Sequence, residues 1–171
     1  VLGAAAFAVL ASACADEPLA TRGGSVTLVT DARFYTALRT GDVIPTDRFE
    51  MDIVVALANM TDRSVTLQAC GSEGSSPRFA VSMAAIPNDW SAAYESAFSC
   101  GSASSMTLEP GESRVDRVVL SGPRTYDAVT GEALGDLEGE MRLVYYVDGR
   151  TLWSNAFTVS VEAQRPPITV R

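Results

Sequence analysis

Few residues in this sequence have the type and spacing to do chemistry. Trp90, Tyr94 and Phe98 recur every four residues in a stretch that ends at Cys100. Aromatic rings bring large contact area at low entropic cost, so this set is a candidate binding loop for a peptide or a sugar. The competing expectation is a flap whose rings cover an open edge of the fold. A second set is acidic: Asp127, Glu132, Asp136 and Glu138 lie between Gly122 and Gly139. Calcium takes six to eight oxygens, but no Asp-x-Asp-x-Asp-Gly run occurs, so the expectation is a solvated acidic loop with no metal. Nothing selects a carboxylate pair for glycoside hydrolysis. The sequence contains no histidine. That removes the commonest general base and metal ligand, and with them a Ser-His-Asp or Cys-His arrangement. Met51, Met83 and Met141 fall on predicted inward faces, where core packing explains them better than soft-metal ligation. No phosphate-cradling loop or nucleophile elbow is present. The sequence therefore predicts a non-catalytic protein without cofactors.

The three cysteines divide unevenly. Cys70 and Cys100 lie within the main body and are expected to pair in an oxidising compartment. Closing that loop of about 30 residues would contribute roughly 3–4 kcal/mol in the chain-entropy picture. Cys14 ends an apolar run, Val1 to Ala13, that is too short to span a bilayer and fits the core of a secretory signal lacking its basic start. Leu10-Ala11-Ser12-Ala13-Cys14 resembles a bacterial lipobox, with Leu10 one residue further from the cysteine than usual. The resemblance implies lipidation of Cys14 and a lipid anchor in the cell envelope, in the periplasm or at the outer membrane. Cleavage after Ala13 or Ala15, leaving a secreted protein, is the alternative. The net charge of −8 argues against nucleic acid and against docking on anionic lipid through a basic patch. The expected membrane contact is through the N-terminal lipid only.

The elements that must hold these residues read as strands. Glu140 to Val161 is the strongest signal. Met141, Leu143, Tyr145 and Val147 alternate onto one face, Asp148-Gly149 supplies a tight turn, and Trp153, Phe157, Val159 and Val161 share a face on the return. Ser154, Thr158 and Ser160 are expected opposite. Arg48 to Ala58 places Phe49, Met51, Ile53, Val55 and Leu57 together, and Val65 and Leu67 point inward after a turn at residues 59–63. Asn59-Met60-Thr61 matches a glycosylation acceptor but is expected to be a plain turn. Phe79, Val81 and Met83 mark another strand. Glu109-Pro110-Gly111-Glu112 is a turn before the strand Ser113 to Ser121. Asp31 to Asp47 is ambiguous.

Seven or eight short strands with one apolar face each predict two stacked antiparallel sheets, an immunoglobulin-like all-β sandwich, with a small barrel as the alternative. The predicted organisation is a signal peptide at 1–13, a tether at 14–24, the sandwich at 25–163 and a tail at 164–171.

The middle of the chain resembles extracytoplasmic bacterial immunoglobulin-like domains and is similar to the bacillus-type intracellular proteinase inhibitor domain. The resemblance rests on Asn59-Met60-Thr61-Asp62, Val65-Thr66-Leu67, Phe79-Ala80-Val81, Asp89-Trp90, Leu108 to Glu112, Gly139 to Val147 and Ser154-Asn155-Ala156-Phe157. It implies a β-sandwich and carries no inhibitory residues across. The expected function is a non-catalytic protein-binding or structural module of the cell envelope. The alternatives are a proteinase inhibitor presenting the loop at 70–77 or 86–100, and a carbohydrate-active enzyme.

Overall fold

The computed structural model describes residues 25–43, 46–70, 76–83, 93–97, 103–147 and 150–162. Among these, the strands are β1 (Val26–Thr30), β2 (Phe34–Val43), β3 (Thr46–Asn59), β4 (Val65–Cys70), β5 (Ser76–Pro77), β6 (Ala80–Met83), β7 (Tyr94–Ser96), β8 (Ala103–Leu108), β9 (Ser113–Gly122), β10 (Gly139–Val147), β11 (Arg150–Trp153) and β12 (Phe157–Glu162).

Seven of them close a ring: β2, β3, β9, β7, β6, β10 and β12, with β12 returning to β2. The closing pair is parallel, from Phe34 opposite Thr158 to Leu38 opposite Glu162. β12 also pairs antiparallel with the start of β10, where Met141 faces Phe157. The fold is thus a closed seven-stranded barrel with mixed strand directions. This overturns the antiparallel immunoglobulin-like sandwich, and with it the resemblance to immunoglobulin-like and inhibitor domains. Closure removes two sheet edges that a sandwich would leave open.

The ambiguous stretch, Asp31 to Asp47, is where the barrel is made. β1 and β2 share one edge of β3 in succession: Val26–Thr30 opposite Val55–Asn59, then Leu38–Val43 opposite Thr46–Glu50. Between them the chain steps sideways at Asp31-Ala32-Arg33. The step is held by Asp31 N–H to the Val54 carbonyl at 3.0 Å. The Tyr35 hydroxyl donates to Asp31 Oδ1 at 2.5 Å and accepts from Ala32 N–H at 3.0 Å. Burial, with the Asp31 bond behind it, pushes the Tyr35 phenol up to about 12. A sideways step interrupts alternation, which is why no clean strand pattern is visible there.

The apolar faces pack as their alternation requires. Met51, Ile53, Val55 and Leu57 of β3 meet Leu120 of β9 and Met141, Leu143 and Tyr145 of β10 in one core. Phe79 tilts against Tyr145, and Tyr35 meets Phe157 edge-on, each with centroids 5.2 Å apart. The β10–β11 hairpin forms, with Val147 opposite Arg150 as a two-residue loop demands.

The return strand differs from expectation in one respect. It is two strands, broken at residues 154–156, and its pairing with β10 slips by one residue. Val144 faces Trp153 before the break, whereas Met141 faces Phe157 after it. Ser154 fills the slip: its hydroxyl accepts from Leu143 N–H at 2.9 Å and its N–H donates to the Leu143 carbonyl at 3.0 Å. One extra residue reverses every side chain beyond it. Leu152, not Trp153, therefore shares the buried face with Phe157 and Val159.

Candidate protein-binding surface

The alternation that buries one face of β3 presents the other. Val29, Ala56 and Val115 stand directly opposite one another across β1, β3 and β9. Directly paired residues project from the same face of a sheet. Val29 is 47% exposed and Val115 68%, while Ala56 between them is half-buried. Val54 and Val119 extend the patch along β3 and β9, Val119 being exposed opposite Asp52. Val29 and Val115 are β-branched residues that suit a pleated strand, so local propensity accounts for their presence but not for their exposure. A contiguous apolar patch across three strands is less common than a lone exposed valine.

A charged pair crosses this face: Arg117 stands opposite Val54, between Val115 and Val119. Arg117 Nη2 meets Asp52 Oδ2 at 2.9 Å across the β3–β9 ladder, with both side chains mostly in water. On the opposite face of β9, Arg114 forms a two-pronged pair with Asp116, at 2.5 Å and 2.6 Å. Arg114 Nη1 also lies 3.1 Å from the sulfur of Met106 on β8. The Asp116 carboxylate keeps the Arg114 guanidinium above its ordinary range.

The residues singled out in the sequence are dispersed. Tyr94 lies on β7 and is fully buried, with its hydroxyl donating to the Leu137 carbonyl at 2.8 Å. Burial pushes its pKa well up, with Glu138 adding to the shift. Tyr94 is thus a core ring, while Trp90 and Phe98 lie outside the described residues. The reason is its place in the ring of strands: β7 is a short rung between β6 and β9 and projects Tyr94 inward. Cys70 ends β4 and carries a disulfide. Cys14 and Cys100 lie outside the described residues, as does most of both loops considered for inhibition. Neither the fold nor the comparisons below support the lipoprotein and signal-peptide expectation, and a lipid anchor takes no part in the function proposed below.

The acidic loop is structured rather than merely solvated. Tyr126 bridges to Ala133, and Asp127 N–H bonds the Glu132 carbonyl at 2.9 Å. The Asp127 carboxylate accepts from Val129 N–H at 2.7 Å and Thr130 N–H at 2.8 Å, which holds its pKa below the usual range. Glu138 accepts from Val161 N–H at 2.7 Å. Among the described residues no group of three or more acids, cysteines or histidines is placed to hold a metal ion. Asn59 is buried, donating from Nδ2 to the carbonyls of Arg63 and Leu108 and accepting from Thr61. Its amide is an internal turn brace.

The exposed apolar row was not singled out in the sequence. Val29 and Val115 each sit in an ordinary alternating strand, and only the pairing of β1 and β9 with β3 unites them.

No known protein family matches the chain, and no curated protein is similar to it. Among solved structures, the chain resembles part of a β-glucosidase from Erythrobacter marinus, at 17% identity and a TM-score of 0.36. The match covers 80% of this chain and 15% of the glucosidase, so the chain spans under a sixth of that protein's length.

Proposed function

We propose that this protein is a non-catalytic module that binds another protein through the outer face of β1, β3 and β9. The observation that carries the reading is the row Val29–Ala56–Val115, apolar, contiguous and exposed on a rigid sheet. Interfaces favour such an uncharged row, and here the Asp52–Arg117 pair borders it on one side, next to Val115 along β9. The described acids support a non-catalytic role, because many are engaged. Asp47, Asp52, Asp116 and Glu95 pair with arginines, and Asp127 and Glu138 accept from backbone N–H groups. The disulfide at Cys70 supports an address outside the cytoplasm, in the cell envelope or beyond it.

The test is a photo-crosslinking side chain placed at Val29 in the producing cells, with exposed Leu134 on the far loop as the control site. A discrete adduct with a different protein is expected from position 29, weakened by Val119→Asp. No adduct, or the same adducts from both sites, would refute a partner on this face.

A further inference from the structure

β9 has a second edge, and its chemistry is self-complementary. The Glu112 carbonyl accepts from Asn59 N–H on β3, and the Val119 carbonyl accepts from Ala97 N–H on the opposite side. Backbone groups alternate in direction along a strand. With an unbroken register from Phe49–Gly122 to Ala58–Ser113, Ser113, Val115 and Arg117 therefore aim N–H and C=O away from β3. β7 covers only Leu120 and Ser121 on that side, and Ala97 reaches Val119. From Ser113 to Arg117 no strand among the described residues pairs there.

We propose that a second copy of this chain adds to β9 edge to edge, antiparallel, about a two-fold axis through Val115. In this register Val115 faces the partner's Val115, and Ser113 faces the partner's Arg117. These are the residues whose backbone groups point outward, so each such pair exchanges two hydrogen bonds. Arg114 then stands opposite the partner's Asp116, and Asp116 opposite the partner's Arg114.

The charges select this register. A slip of one step sets Asp116 against the partner's Asp116 in one direction and Arg114 against the partner's Arg114 in the other. A further slip sets Arg117 against the partner's Arg117. Opposite charges directly across a ladder stabilise it and like charges destabilise it, so among the registers centred on residues 114–117 only the Val115-centred pairing is free of repulsion, and a Ser113-centred one would run the partner strand into the turn at Glu109–Glu112. The result is a sheet continuous across two copies, joining their exposed apolar rows. Val115, one of the most exposed large apolar residues described, would lie at its centre. The inference rests on the edge of β9 and goes beyond the outer-face reading, which stands if the edge proves unused.

Sedimentation of the 171-residue chain over a range of concentrations tests it. A reversible dimer is expected. Val115→Pro removes an N–H that faces away from β3 and should raise the dimer dissociation constant by roughly tenfold or more, with the circular dichroism unchanged. R114D and D116R should each be monomeric, because each makes like charges face across the axis. An equimolar mixture of the two should dimerise again, since opposite charges then meet at both contacts. The mixture decides the matter even if the proline variant fails to fold. A chain that stays monomeric at every concentration would overturn the proposal. So would a dimer that survives V115P and both charge reversals.

Discussion

Gly122→Ala tests the closure of the barrel at a close approach between β9 and β7. Gly122 ends β9 opposite Phe49 of β3, where β9 passes from β3 to β7. A Cβ at this position would lie 2.6 Å and 2.8 Å from ring carbons of Tyr94 and 2.7 Å from the Ala93 carbonyl oxygen. All three distances are shorter than real Cβ contacts allow. The ring has little room to retreat, being fully buried with its hydroxyl tied to the Leu137 carbonyl. The carbonyl is backbone, and it accepts from Arg124 N–H at 3.0 Å. Overpacking of a core costs about 1–3 kcal/mol, and a clash with both a ring and a backbone oxygen belongs at the upper end, roughly 3 kcal/mol. For a domain of this size that corresponds to a melting point lower by about 10 °C. Equilibrium urea unfolding, followed by tryptophan fluorescence, measures it. Gly41→Ala is the matched control, since nothing lies within 4 Å of its Cβ and it should stay within roughly 1 kcal/mol of neutral. If both substitutions cost the same, the close approach of β7 to β9 is not what requires glycine, and the packing of Tyr94 against β9 is wrong.

Three further outcomes follow from the same structure. Asn59→Ala should destabilise the fold by roughly 3 kcal/mol in urea, because the buried carbonyl of Leu108 and the Thr61 N–H lose their partner together. Tyr35, Tyr94 and Tyr145 all have raised pKa values in the folded state, chiefly through burial, and unfolded tyrosine ionises near pH ~10. The folded state therefore keeps protons that the unfolded state releases. Its stability is full below about pH 10 and falls as pH rises toward the folded values, so the urea midpoint should drop steadily there, and Tyr35→Phe should reduce the slope. Asp127 runs the other way. Its depressed pKa means the turn at Val129 and Thr130 is held above the ordinary carboxylate range and released as pH falls through the folded value. Asp127→Ala should speed amide exchange at those two residues while leaving the global unfolding midpoint unchanged.

Much of the local structure was legible because alternation is a local property. Met51, Ile53, Val55 and Leu57 had to share a face, as did Met141, Leu143, Tyr145 and Val147, and all eight are buried. The turn at Glu109 to Glu112 was legible from Pro110 and Gly111, the latter at φ 74°. What alternation does not encode is the partner. β2 lies parallel to β12 and antiparallel to β3, and nothing in Phe34 to Val43 distinguishes those directions. The one-residue slip at Ser154 is equally silent, because a serine that fills a bulge looks like a serine that faces water. Of the aromatic trio only Tyr94 is among the described residues: its spacing suggested a loop, and the pairing of β7 with β6 and β9 turned it inward. The sequence by itself determined which residues of each strand would be apolar together, through the chirality and pleat of the chain. The tertiary structure alone decided that the strands close into a barrel, that Val29 and Val115 become neighbours, and that β9 turns the backbone groups of Ser113, Val115 and Arg117 toward a side where no strand among the described residues pairs. Those outcomes depend on hydrogen bonds between segments far apart in the chain, and such bonds leave no period in the sequence.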